Sequence, residues 1–239
     1  MIISILVILF CSALLGGLSV FFFRRNSADL LKLILSFSGA YLFSITILHL
    51  IPDVYNTNET AHIGVYVLIG FLFQLLLEQF SEGVEHGHIH KHAHQGTYPI
   101  GVMISLCLHA FLEGMPLAKG HQKELLFGIA IHHIPAAFAL GSLLIQSTIR
   151  KHNIIISLVI FAIMSPLGFI FSDVISSGGI GEIEKYFDKI MAIVIGIFLH
   201  ISTTILFESS SADHHHFNKK KIFAVLLGVS ISMVNYLFH

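Results

Sequence analysis

His109-Ala110-Phe111-Leu112-Glu113-Gly114-Met115-Pro116 lies inside a long apolar run that begins near Tyr98. A histidine and a carboxylate four apart on a helix stand on one face, one turn above the other. Both side chains can then hold one cation. In water such a pair would be ordinary. Within an apolar span a lone charge at mid-bilayer costs about 3 kcal/mol or more, so Glu113 needs a partner there. The next apolar run carries a second constellation, His132-His133-Ile134-Pro135-Ala136-Ala137. Pro116 and Pro135 each lie a few residues beyond the polar groups. Each removes a backbone donor and frees a carbonyl one turn back. Two consecutive polar, proline-broken helices have the pattern of a metal or ion path through a membrane.

The rest of the chain supports a membrane setting. Of 239 residues, 55% are hydrophobic and only 11% are charged, whereas a soluble domain carries about a quarter charged residues. A mean hydropathy of +0.83 means more apolar surface than a soluble core of this size can bury. The expectation is an all-α integral membrane protein with one transmembrane domain over residues 1–239. A net charge of −1 offers no basic surface for nucleic acid. Cys11 and Cys107 both sit in apolar runs and form no zinc-finger or disulfide framework. The run from Ile2 to Phe23 has no basic n-region or small-residue cleavage site and is longer than a signal-peptide core, so it reads as a spanning helix.

Eight spans follow, at roughly 2–23, 30–51, 63–80, 98–118, 124–146, 153–172, 188–207 and 221–238. Short connections make neighbouring helices antiparallel. The odd-numbered connections carry Arg24, Arg25, Lys32, Lys91, Arg150, Lys151, Lys219, Lys220 and Lys221; the even-numbered ones carry Lys119, Lys123, Lys185 and Lys189. This imbalance places the odd connections in the cytoplasm and both termini outward, which agrees with an even helix count.

Seventeen histidines are the anomaly of the composition. Five of them, His86, His88, His90, His92 and His94, alternate along the third connection, a cytoplasmic His-rich loop over residues 81–97. Such a tract either collects Zn²⁺ or a similar cation in weak, rapidly exchanging sites or is simply solvated. His214-His215-His216 repeats the theme more weakly. Glu78 at the end of the third span reads as an interfacial carboxylate, and His200 in the seventh as an interhelical hydrogen-bond partner or a ligand.

His109, Glu113 and His132 form the candidate ligand set. Two imidazoles and a carboxylate suit Zn²⁺, Fe²⁺ or a similar first-row cation and are too poor in oxygen for Ca²⁺ or Mg²⁺. If the helices kink at their prolines, these side chains can converge. His133 is turned about 100° from His132; it is a fourth or alternate ligand, or a contact to another helix.

These residues resemble the ZIP (ZRT/IRT-like) family of divalent-metal transporters. That family carries a His-x-x-x-Glu/Asp-Gly pattern on its fourth helix and His-x-x-Pro on its fifth. Ser36–Ala40 leading to His49-Leu50-Ile51-Pro52 is similar to its second helix, and Gly70-Phe71-Leu72 to Glu78 is similar to its third. Ser165-Pro166-Leu167-Gly168 is similar to the sixth, and Gly196 through His200 to Glu208 to the seventh. The resemblance implies a transporter of zinc, or of Fe²⁺, Mn²⁺ or Cd²⁺, with no organic cofactor. It would move metal toward the cytoplasm by alternating access, without ATP; no Walker-type motif is present. His49, Asp53, His200 and Glu208 would be pathway groups near the two mouths. The expected setting is a multi-pass protein of the cell membrane, plasma or inner, with the lipid bilayer as partner and a homodimer as a candidate assembly.

The chain departs from the family pattern in three places. Many bacterial members have Glu where Ala136 stands, Glu where Ser165 stands and Asn where Ala110 stands. Those groups help build a second, adjacent metal position. The resemblance therefore implies one site, with His109, Glu113 and His132 as its core and Ser165 or water completing it. The rival readings are an intramembrane zinc-dependent hydrolase with Glu113 as base and a haem-binding electron carrier with His132 and His200 as axial ligands. The hydrolase lacks a His-Glu-x-x-His motif, and the haem carrier gives no reason for the His-rich loop.

Overall fold

The computed structural model describes residues 2–22, 28–56, 62–81, 83–84, 98–118, 122–176, 186–211 and 219–238. Among them there is no strand. The helices are α1 (Ile2–Leu18), α2 (Ala28–Ile45), α3 (Ile51–Tyr55), α4 (Ile63–Ser81), α5 (Ile100–Gly114), α6 (Gln122–Gln146), α7 (Lys151–Ser176), α8 (Phe187–Ser211) and α9 (Lys219–Phe238). A π-helical turn over Thr46–Leu50 joins α2 to α3, so among the described residues these helices make eight spans long and apolar enough to cross a membrane. Outward-facing Val65, Leu68, Leu72 and Leu76 on α4, and Phe223, Leu226 and Leu237 on α9, leave apolar surface exposed. The bilayer is the medium that such a surface requires.

The prolines act differently in each span. Pro52 has no N–H to give the Leu48 carbonyl. The preceding turn widens, and the Ile51 N–H donates to the Thr46 carbonyl five residues back. The second span thus runs on to Tyr55, past the boundary near residue 51 expected from hydropathy. Pro116 cannot donate to Leu112, and the Met115 N–H takes that carbonyl instead, tightening Met115–Ala118 into a 3₁₀ turn. Pro135 breaks nothing: α6 is one helix from Gln122 to Gln146. This corrects the expectation of a broken fifth span. The backbone at Ile134 is pressed by α1 at Gly16, where an added Cβ would stand 2.6 Å from the Ile134 carbonyl oxygen. Packing on a neighbour holds the proline-bearing turn in helical form.

Packing sorts the helices into two groups. In one, α1 lies on α6 and α7, and α5 lies on α7; in the other, α4 lies on α8, and α2 lies on α8 and α9. The groups meet where α2 touches α6 and α4 touches α5. Two reciprocal glycine contacts set the closest approaches. A Cβ on Gly70 would strike the Ile193 carbonyl oxygen and one on Gly196 that of Val67, so α4 and α8 meet backbone to backbone. In the same way Gly114 opposes the Ser165 carbonyl and Gly168 that of Phe111, locking α5 against α7. Small residues permit such close approach where no hydrophobic effect drives helices together.

Candidate metal centre

The glycine contact between α5 and α7 immediately follows Glu113, and so holds its carboxylate deep inside the first helix group. His109, four residues earlier, stands midway along its span. Both side chains are buried, as are His132 and His133 on α6. His109 Nε2 lies 3.4 Å from Glu113 Oε1. His132 Nε2 approaches the same oxygen from α6 at 3.7 Å. The other carboxylate oxygen, Oε2, is 2.9 Å from His133 Nε2. One carboxylate therefore faces three imidazoles and divides its oxygens between them.

The two oxygens are used differently. Oε2 accepts a hydrogen bond from His133, whose ring also lies edge-on to Phe161 of α7 at 6.1 Å. His133 thus makes a contact to another helix and anchors the carboxylate. Oε1, His109 Nε2 and His132 Nε2 have no hydrogen-bond partner, although all three are buried. Each of the three residues offers one ligand atom within 4.8 Å of those of the other two. Ligand atoms around a tetrahedral zinc ion stand about 3.3 Å apart, given bonds of about 2.0–2.2 Å. The spacings of 3.4 and 3.7 Å carry no hydrogen bond here and are near what two ligands of one ion adopt. A buried polar atom without a partner is costly in a membrane interior. Here three such atoms turn toward one point, and a single divalent cation would satisfy them together.

A family match decides what kind of molecule carries this centre: the family model described as ZIP Zinc transporter matches residues 1–101 and 85–235. The chain belongs to the ZIP zinc transporter family. It is 26% identical over 205 residues to zinc transporter ZIP9-A of Xenopus laevis, covering 75% of this chain and 66% of that one. To zinc transporter ZIP1 of Danio rerio it is 31% identical over 87 residues, 35% of this chain and 29% of the other. To zinc transporter 1 of Oryza sativa subsp. japonica it is 28% identical over 145 residues, 56% and 41% respectively. The chain thus spans just under two thirds of the length of the ZIP9 relatives it matches.

The other singled-out residues of this ZIP chain are spread through the fold. Ser165 is buried on α7 with its Oγ unpartnered, and its backbone abuts Gly114 beside the carboxylate. His49 lies on the π turn, buried, with its ring edge-on to Tyr236 of α9 at 5.2 Å. Asp53 is exposed on α3. His200 on α8 reaches across to α4, where its Nε2 is 2.5 Å from Glu78 Oε2. It also stacks edge-on to Phe71. Glu78 is therefore mostly enclosed between helices. The side chain of Glu208, the loop histidines His86, His88, His90, His92 and His94, and His214–His216 lie outside the described residues.

One residue that sequence reasoning passes over reaches the centre. Gln74 of α4 is fully buried, and its Oε1 is 3.4 Å from His109 Nδ1. The signal was a lone amide in the middle of an apolar span, one turn before Glu78.

Proposed function

We propose that this ZIP chain carries a divalent cation, zinc foremost, across a membrane, holding one ion at a time at His109, Glu113 and His132 between α5 and α6. The observation that carries the reading is the set of three buried, unpartnered donor atoms facing one another at mid-span. The names of the relatives, all zinc transporters, point to the same cargo. With neutral imidazoles, a divalent ion beside one carboxylate leaves about +1 in the site. That favours binding of moderate strength, as release requires. Fe²⁺, Mn²⁺ and Cd²⁺ suit the same nitrogen–oxygen set and are the competing cargoes.

Movement follows alternating access, with the group α1, α5, α6 and α7 shifting against the other and exposing the site to each side in turn. The distribution of Lys and Arg favours the side bearing the His-rich loop 81–97 as the cytoplasm, with both termini outward, and transport runs toward that side, as the resemblance to the ZIP family implies. His133 anchors the carboxylate, Ser165 or water completes the cation's shell, and His49, Asp53, His200 and Glu208 flank the path. The setting is the plasma or inner membrane, and a homodimer is the candidate assembly. A hydrolase reading fares worse, because Glu113, its only candidate base, already faces three imidazoles.

The test is uptake into proteoliposomes with zinc against excess Fe²⁺, Mn²⁺, Cd²⁺ and Ca²⁺. Zinc uptake blocked by Cd²⁺ and untouched by Ca²⁺ is expected. No uptake of any first-row cation by well-folded protein would end the reading.

A further inference from the structure

Gln74 supplies none of the proposed ligands, yet it is buried against one of them. A neutral imidazole carries its proton on one nitrogen only, so His109 can present either a lone pair or an N–H to the centre. The amide atom nearest His109 Nδ1 is the oxygen, Oε1, at 3.4 Å. An amide oxygen only accepts, so a bond forms only when Nδ1 carries the proton. Nε2 is then left with its lone pair, and Nε2 is the atom that faces Glu113 Oε1 at 3.4 Å without a hydrogen-bond partner. The opposite tautomer would aim an N–H at the cation's place and would require the amide to turn over and present its NH₂ to Nδ1 in place of Oε1.

The register that makes this contact is itself pinned. Ser105, one turn before His109 on α5, donates to the Leu77 carbonyl on α4 at 2.7 Å, and Leu77 lies three residues after Gln74. The acceptor thus comes from the helix group that carries none of the proposed ligands. Metal-bound histidines commonly donate their second ring N–H to such an outer partner, which fixes tautomer and ring orientation.

We infer that Gln74 is a positioning residue that selects the cation-ready tautomer of His109. This rests on the reading of His109 as a ligand. An amide does the task without adding charge, whereas a carboxylate there would deepen the well that the ion must leave.

The decisive measurement is ¹⁵N NMR of the metal-free full chain labelled at histidine, with the His109 signals identified by their loss in His109→Ala. Wild-type His109 is expected with its proton on Nδ1. In Gln74→Leu, which keeps the bulk and removes the acceptor, that preference should vanish. Zinc affinity at the buried site, read as the binding missing in Glu113→Ala, should fall roughly 10–100-fold. Gln74→Glu, which keeps an acceptor, should retain the Nδ1–H form and bind zinc at least as tightly as wild type. A residue that merely fills space predicts the reverse order, with Leu tolerated and Glu damaging. A proton on Nε2 in the wild type, or unchanged tautomer and affinity in Gln74→Leu, would overturn the inference. If the wild type binds no more zinc than Glu113→Ala, the ligand reading fails instead, and the tautomer measurement still decides the role of Gln74.

Discussion

Among the described residues, His–Glu contacts gather at two places inside this molecule, and they are built differently. His200 and Glu78 join α8 to α4 at 2.5 Å, a hydrogen bond made directly between the two side chains. At the other centre His109 and His132 hold 3.4 and 3.7 Å from Glu113 Oε1 and leave their facing atoms unpartnered. The residue types are the same, and both contacts lie between long apolar helices. What separates them is the number of imidazoles per carboxylate. One imidazole can close onto one oxygen. Two imidazoles sharing one oxygen, with the second oxygen already held by His133, stay at the spacing of ligands around an ion. The comparison teaches that buried His–Glu contacts differ in whether the atoms that face one another bond directly, as in His200–Glu78, or are left without hydrogen-bond partners, as around Glu113 Oε1.

The sharpest break in that comparison is Glu113→Ala. It removes the only carboxylate of the open centre, and zinc uptake should drop to background while the protein still inserts and elutes as wild type. Uptake at wild-type rates would show that the open centre does not carry cargo. Ala136→Glu probes the same centre from the opposite direction. A second divalent ion about 4 Å from the first would be repelled by several kcal/mol at an effective dielectric near 20, and Glu113 alone cannot offset that for both. The unmutated protein should therefore show one intramembrane metal by anomalous scattering. The added carboxylate should tighten binding and slow turnover. Two fully occupied sites without the mutation would mean that His133 or the carbonyl freed by Pro135 substitutes for the missing glutamate.

The closed pair should respond more mildly. Glu78→Leu removes an interhelical hydrogen bond worth roughly 1 kcal/mol, with 1–2 an upper range for such bonds in membranes. A lower unfolding temperature with near-normal zinc affinity at the buried site is expected. A tenfold loss of that affinity would erase the distinction drawn between the two centres. Smallest of all should be deletion of residues 86–94, which removes five histidines of the connecting tract. Bulk zinc binding should fall, with uptake retained; a folded deletion mutant without uptake would put that tract on the obligatory path.

Much of this was readable before any coordinates. Eight apolar runs separated by polar connections correspond to the eight spans, because a run of about twenty apolar residues in helical form has few alternatives in a bilayer. The His109–Glu113 pairing was equally plain, since a spacing of four fixes two side chains on one face whatever surrounds them. Local pattern was a poorer guide to the prolines. Pro52 widened a turn, Pro116 tightened one and Pro135 left α6 intact, and neighbouring helices, not proline itself, account for the last outcome.

What the linear order of residues determined, then, is whatever depends on helical periodicity and on the length of an apolar run: the spans, the candidate ligands within one helix and the single carboxylate among them. The tertiary structure alone decided which side chains meet. His132 and His133 come from a different helix than Glu113, and their 100° separation allows either to face it. Packing turned one toward each oxygen. Gln74 lies 35 residues from His109, and the Ser105–Leu77 bond between α4 and α5 brings it within reach. Contacts between helices depend on how close two backbones can come and at what register. Here glycines opposite carbonyls at Gly70, Gly114, Gly168 and Gly196 set those quantities, and no periodicity within a single helix encodes which carbonyl each glycine will meet.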